Sequence, residues 1–429
     1  MKGVSKIILS LTAVTAFSFA ATAQRTENEI RKDIHNLSGI YTSYPDTLHT
    51  YTPAPKGYKP FYLSHLGRHG SRFHTNEGFY RRALKWLVKG EEEGKLTDTG
   101  KEVLEKVRII ASDAEGKYGS LTPRGAREHR HIAERMCRNY PEIFKGKGIG
   151  IDVYSSIVPR CIISMASSVE RIKEFNPSIS VRRTCHNQLM KEMFCVDECN
   201  SIYDELKPEI NEIYKTCSDD GDFLNRMFTD CSFIPEDDRW EVLHAVYYMA
   251  AGGSDVDYLG IDLYDYLTVD ECYPLWQARS AFTYMESGPS ERFGKRSLSD
   301  ARCMLEHFIS CADEAVGNGG FRATLRYGHD QNVMPLSALM GIEGCSTACG
   351  DFYKIHEAWC DYVVTPMACN IQLIFYRKKH SDDILVKILM NEKEAAVQLE
   401  SETAPYYRWA DLKEYFKRRL GEYPAWTKE

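Results

Sequence analysis

The chain has 429 residues, 43% of them apolar and 12% aromatic, enough to bury one large core or two medium ones. Its formal net charge of -7 excludes a protein built around nucleic acid or an acidic membrane, because both need a basic field. It reads as an ordinary globular chain.

Lys2 and Lys6 precede an apolar run over residues 7–20, and Ala21-Thr22-Ala23 come before Gln24. This three-part pattern predicts a signal peptide over residues 1–23, cleaved after Ala23. The run falls short of the roughly 20 apolar residues that span a bilayer, and no Cys follows it to carry a lipid. The mature chain is therefore expected to be exported, to the periplasm or outside the cell, and free of the membrane. All 14 cysteines lie from Cys137 onward, an even set that fits an oxidising compartment and predicts disulfides of open pairing beside buried thiols. Cys195/Cys199 and Cys345/Cys349 are four apart, a spacing that would share one helix face. A zinc site would want Cys-x-x-Cys with His partners, so no metal is expected.

Further along, β-type segments occur at residues 61–66, 151–155, 323–327, 371–376 and 384–389, the last two bracketing a turn at 380–383 that predicts a hairpin. Helical patterns lie between them. Residues 99–110 are amphipathic, with Val103, Leu104, Val107 and Ile110 on one face. Thr122-Pro123 supplies a capping hydroxyl and a first-turn proline for a helix over 125–136. Strands alternating with helices predict an α/β sheet covered on both faces. From about residue 182 to 300 the strand signal fades, so the reading is an α/β core over 24–181 and 301–429 with a mostly helical cap, 182–300, inserted into it.

Three strand ends carry chemistry, and ligands of open α/β sheets bind beyond such ends. Arg68-His69-Gly70-Ser71-Arg72 sets two guanidiniums around one imidazole, and each guanidinium offers a planar fork that matches phosphate oxygens. Nearby positive charge keeps an imidazole unprotonated and nucleophilic. The same five residues also suit a surface cluster paired with acids. Arg160, with Ser164 one turn on, follows the second strand and suits either a third phosphate ligand or an ion pair. His329-Asp330 follows the third strand: His329 can donate to phosphate and Asp330 can protonate a departing alkoxide. A helix-capping Asp beside a buried His is the plainer alternative. His129, His131, His244, His307 and His356 read as structural, while His65 and His74 flank the site. No phosphate loop of Walker type, no paired metal carboxylates and no Gly-x-Ser-x-Gly occur, so no cofactor is expected.

With these motifs in hand, the chain resembles the histidine acid phosphatase family, the acid phosphatase and phytase branch of the histidine phosphatase superfamily. Arg68-His69-Gly70-x-Arg72 matches the family motif, His329-Asp330 its later pair, and Leu121-Thr122-Pro123-Arg124-Gly125 its helix start. The resemblance implies a three-layer α/β/α core, phosphoglycerate mutase-like, with an inserted helical cap. It also implies a metal-independent phosphomonoesterase acting through a phosphohistidine on His69. Arg68, Arg72, Arg160 and His329 would then bind phosphate, and Asp330 would donate the proton. The expected partner is a small phosphate monoester; no protein partner is predicted. Many members have Pro two residues after the second motif Arg, where this chain has His74, Thr75 and Asn76; these are read as the lip of the substrate pocket. The stretch 275–289 is similar to bacterial multiple inositol polyphosphate phosphatases, which usually carry His-Ala-Glu where this chain has His329-Asp330. An inositol phosphate phosphatase is thus the nearest alternative, and its cap would present basic residues such as Lys191, Arg279 or Arg292. A phosphoglycerate-mutase-type transferase fits the signal peptide poorly. A non-catalytic polyanion binder would need the arginines but not His69 with Asp330.

Overall fold

The structure is a computed structural model that describes residues 23–194, 196–217 and 221–426. The predicted signal peptide, but for Ala23, lies outside these residues, as do the side chains of Cys195 and Cys199. In chain order the main elements are β1 (Tyr58–Arg68), α1 (Glu77–Glu92), α2 (Asp98–Ala114), α3 (Pro123–Asn139), β2 (Gly150–Ser155), α4 (Pro159–Phe175) and β3 (Ser180–Thr184). There follow α5 (Val196–Cys217), α6 (Trp240–Ala251), α7 (Val269–Ser287), α8 (Arg302–Asn318), β4 (Ala323–Gly328) and α9 (Asp330–Leu339). The chain ends with β5 (Asn370–Lys378), β6 (Ile384–Met390), β7 (Lys393–Ala395), β8 (Tyr406–Arg408) and α10 (Trp409–Glu422).

One sheet runs in the order β3-β2-β4-β1-β5-β6-β7, with β8 also on β6. The first four strands are mutually parallel, whereas β5 and β6 form the expected hairpin and run antiparallel to their neighbours. Side chains alternate across the sheet, as a two-residue period requires. Leu63, Ile374, Leu385 and Leu389 face α3 and α4 in one buried cluster. Tyr62, Leu66, Ile371, Leu373, Phe375, Val386 and Ile388 face α8, α9 and α10 in another. The result is the three-layer α/β/α core read from the sequence.

A third cluster stands apart from the sheet and unites Trp86 of α1 and Val103 of α2 with Phe223, Val246 of α6 and Trp276 of α7. Two helices from before residue 115 therefore pack with the helices of 221–278, while β3 carries the sheet to Thr184. The start of α3 follows its sequence signals: the Thr122 hydroxyl accepts from the Gly125 amide, and Pro123 opens the helix. No helix among the described residues is long and apolar enough to cross a membrane.

The expected disulfides are not formed among the described residues. Cys137, Cys161, Cys345, Cys360 and Cys369 are buried as free thiols, and a buried thiol packs as a small hydrophobe. Cys345 and Cys349 fall in a turn and the loop after it rather than on a helix face.

Candidate active site

Strand register decides what meets at the C-terminal edge of the sheet. Arg68 of β1 lies opposite Gly328 of β4, and Ser155 of β2 lies opposite Tyr327. The residues that follow each strand, His69, Ser156 and His329, are thereby side by side. The His69 and His329 rings stand edge to face with centroids 5.7 Å apart. His329 caps the N-terminus of α9, and its amide donates to Asn332 Oδ1. Two helices, α4 and α9, thus begin beside this edge, and helix N-termini attract anions.

His69 is 2% exposed. Its Nδ1 lies 2.9 Å from the Gly70 carbonyl oxygen, which can only accept, so Nδ1 carries the proton and the Nε2 lone pair is left for chemistry. Burial first, then the charges of Arg160, Arg68 and Arg72, hold its pKa well below the usual imidazole value. It is a neutral imidazole in a ring of cations.

Arg68 is fully buried. One Nη1 donates to the carbonyls of Ile40 and Thr365, at 2.6 and 2.8 Å, and Nη2 stands 3.1 Å from Asp330 Oδ2. Arg72 donates to the Phe73 carbonyl and rests over the Tyr41 ring. Arg160 comes from the first turn of α4. The Nε atoms of Arg68, Arg72 and Arg160 are all buried without a hydrogen-bond partner among the described residues. Buried donors are normally satisfied, so three such groups around one imidazole mark a place for an anion. Asp330 opens α9 and is 18% exposed. Burial pushes its pKa up, but Arg68, His329 and Arg72 together outweigh this and hold it below the usual carboxylate value. His329 is depressed by burial and by Arg160, and its Nε2 lies 3.2 Å from the Ser156 hydroxyl.

The loop carrying these groups is pinned from behind. Glu128 of α3 accepts from the Ser71 amide and hydroxyl, both at 2.8 Å, and from the Tyr44 amide at 2.9 Å. Ser164 of α4 accepts from the Gly70 amide. Gly70 and Gly125 let the loop and α3 touch: a Cβ on Gly70 would sit 2.4 Å from the Gly125 carbonyl oxygen.

Of the residues expected at the lip, Thr75 and Asn76 are exposed, and Asn76 also caps α1. His74 differs: it is buried under Tyr41, Phe79 and Tyr80, where burial, and then Arg72, lower its pKa to about 3 and keep the ring neutral. His65 and His129 both pack on Tyr327 inside the core. Among the cap cations, Arg279 is buried, sandwiched between the Tyr41 and Tyr248 rings at 4.0 and 4.6 Å, so it backs the ring that carries Arg72. Arg292 instead pairs with Glu209 at the surface. The Lys191 side chain lies outside the described residues. Sequence reading passed over Tyr41, Glu128, Ser156 and Glu286, none of which belongs to a local motif.

No protein-family model and no curated protein matches this sequence. Solved structures do. The apo form of a multiple inositol polyphosphate phosphatase from Bifidobacterium longum superposes with a TM-score of 0.75 at 20% identity, covering 88% of this chain and 97% of that one. The same protein in complex with inositol hexasulfate gives a TM-score of 0.72 at 19% identity, with the same coverage. A phytase from D. castellii gives 0.69 at 12% identity over 94% of this chain and 89% of its own. With its three-layer core and this likeness in structure, the chain has the histidine acid phosphatase fold.

Proposed function

We propose that this chain is an exported phosphomonoesterase that hydrolyses its substrate through a phosphohistidine on His69, without a metal. The observation that carries the reading is a neutral imidazole with Nε2 unprotonated, beside the buried Nε donors of Arg68, Arg72 and Arg160, which have no hydrogen-bond partner among the described residues. Those cations hold the phosphate oxygens, whose charge must be stabilised throughout transfer. They do the work that a metal would do elsewhere. His69 Nε2 attacks phosphorus in line, the bond to the leaving oxygen breaks, and Asp330 gives that oxygen its proton. The imidazolium so formed keeps its Nδ1 proton on the Gly70 carbonyl. Water then attacks phosphorus, Asp330 takes a proton from it, and phosphate leaves His69 neutral again.

The low pKa of Asp330 in the free protein is consistent with this cycle. Arg68 is its main counter-charge, and a bound phosphate dianion competes for that same guanidinium. The carboxylate then faces negative charge and its proton affinity rises. His69→Ala tests the proposal with an aryl phosphate as substrate. Loss of turnover together with loss of an acid-quenched phosphoenzyme supports it, whereas undiminished turnover ends it; a polyanion-binding protein would show no turnover to lose.

Export rests on the predicted signal peptide, and N-terminal sequencing of the exported protein should begin at Gln24. A narrower second reading, hydrolysis of inositol phosphates, is favoured by the similar Bifidobacterium phosphatase. Its measure is kcat/KM on inositol hexakisphosphate against sugar phosphates and nucleotides.

A further inference from the structure

Behind Asp330 lies a second carboxyl group that the mechanism above does not use. Glu286, near the C-terminus of α7, is 8% exposed. Gln331 connects the two acids: its backbone amide donates to Asp330 Oδ1 at 3.2 Å, and its side-chain amide donates to Glu286 Oε1 at 3.0 Å. The groups facing Glu286 are Asp330 and Gln331 from α9, with Tyr203 of α5 near enough to feel its charge. Asp330 in turn faces Arg68 of β1, His329 and Arg72. All the cations of the cluster thus stand on the Asp330 side, so a single proton shared by the two carboxyls rests on Glu286 while Arg68 holds Asp330.

We propose that Glu286 is a proton-holding residue for Asp330, the two forming one coupled acid pair bridged by Gln331. This rests on the phosphomonoesterase reading. Glu286 acts through Asp330 and does not touch the substrate. Burial, and then the Asp330 charge, push the Glu286 pKa up to about 8, which agrees with the proton residing there in the free protein. The Gln331 amide can serve either state, donating to a carboxylate or turning to accept from a carboxylic acid. When a phosphate dianion engages Arg68, the balance reverses: Glu286 gives its proton to solvent and Asp330 takes one from solvent, since the Gln331 N–H groups hold the two carboxyls but do not carry protons between them. Asp330 passes its proton to the leaving alkoxide. The proton that Asp330 later takes from the attacking water restores the pair, so the total is unchanged over a turnover. Coupled groups of this kind titrate as a pair rather than singly.

The consequence is an extended alkaline limb for substrates that need an acid. The experiment compares kcat/KM against pH for the full chain, Glu286→Gln and Glu286→Asp, on β-glycerophosphate and on p-nitrophenyl phosphate. The alkyl ester requires a proton for its leaving group; the aryl ester scarcely does. Glu286→Gln should move the alkaline limb on the alkyl ester down by about one pH unit or more, with little shift on the aryl ester, and Glu286→Asp should restore part of it. Coincident limbs for wild type and Glu286→Gln on the alkyl ester, or equal shifts on both esters, overturn the assignment. Should the Gln variant fold poorly, the infrared difference spectrum between wild type and Glu286→Asp at pH 7 decides: apart from the unchanged stretch of Asp255, a protonated-carboxyl stretch must shift with the substitution, and no shift refutes the proposal. A wild-type chain inactive on both esters would instead sink the phosphomonoesterase reading itself.

Discussion

Gly125→Ala asks how tightly the loop from Arg68 to Arg72 is held. On helix propensity alone the change should stabilise α3 by about 1 kcal/mol. Packing reverses that sign. A Cβ at position 125 would stand 2.2 Å from the Ser71 carbonyl oxygen and 2.7 Å from the Ser71 nitrogen, and Glu128 ties that backbone down. To reach an ordinary carbon–oxygen separation of about 3.3 Å, the chain at Ser71 must retreat by about 1 Å. Arg72 is next to Ser71 and His69 two residues before it, so both move with it. A displacement of about 1 Å at a reacting group costs on the order of 100-fold in rate, which is about 2.7 kcal/mol of barrier. Overpacking costs about 1–3 kcal/mol of stability, which the helix gain only partly offsets. Gly421→Ala in α10 is the control, because nothing lies within 4 Å of a Cβ there and the propensity gain stands alone. Urea unfolding of both variants and kcat/KM on an aryl phosphate measure the two effects. A Gly125→Ala protein as stable as Gly421→Ala, with kcat/KM unchanged, would refute the reasoning that this contact positions His69.

Asp330→Asn should reduce turnover of alkyl phosphates by about 10²- to 10⁴-fold, the usual contribution of general acid catalysis, and turnover of p-nitrophenyl phosphate far less; equal losses on both would contradict its role as proton donor. Asp255 is buried beside Ser43 and Ser71 with Oδ2 unpartnered among the described residues, and burial pushes its pKa up to about 8. Unfolded, the same group ionises near 3.9, so its folded pKa is raised and its contribution to stability is whole below about pH 4 and lost as pH rises toward 8. Asp255→Asn should therefore gain on wild type in melting temperature as pH is raised from about 5 to 8; a constant difference across that range would be the contrary result.

The sheet and the cluster of candidate residues at its edge were largely legible because they rest on local patterns. Residues 61–66, 151–155 and 323–327 showed apolar runs ending in Gly, Ser or His, and each lies within a strand, β1, β2 or β4. Arg68, His69 and Arg72 share one loop, and His329 and Asp330 another, so five of the six principal candidates needed only two motifs and the rule of strand ends. Arg160 needed the parallel register as well. What stayed hidden depends on tertiary contact. Tyr41, Arg279 and Tyr248 come from three distant segments and acquire meaning only when stacked. Glu128 reads as one more charge on an exposed helix until Ser71 is placed against it. His74 looked like a rim residue because its neighbours Thr75 and Asn76 are polar, while the rings that bury it include Tyr41, far upstream. The cysteine count suggested cross-links, but spacing says nothing about which thiols an apolar core will separate.

The position of β1 also constrains how such a chain reaches its native state. Both of its hydrogen-bonded neighbours, β4 and β5, come from beyond residue 320. The strand that leads into His69 accordingly has no partner until some three-quarters of the polypeptide has been synthesised. Pairings of such long sequence separation form late and slowly, leaving an apolar edge available to other chains in the meantime. Refolding at rising protein concentration should therefore lose yield to aggregates that capture this segment, and a holdase that shields it would act before the last helix, α10, has closed over the sheet.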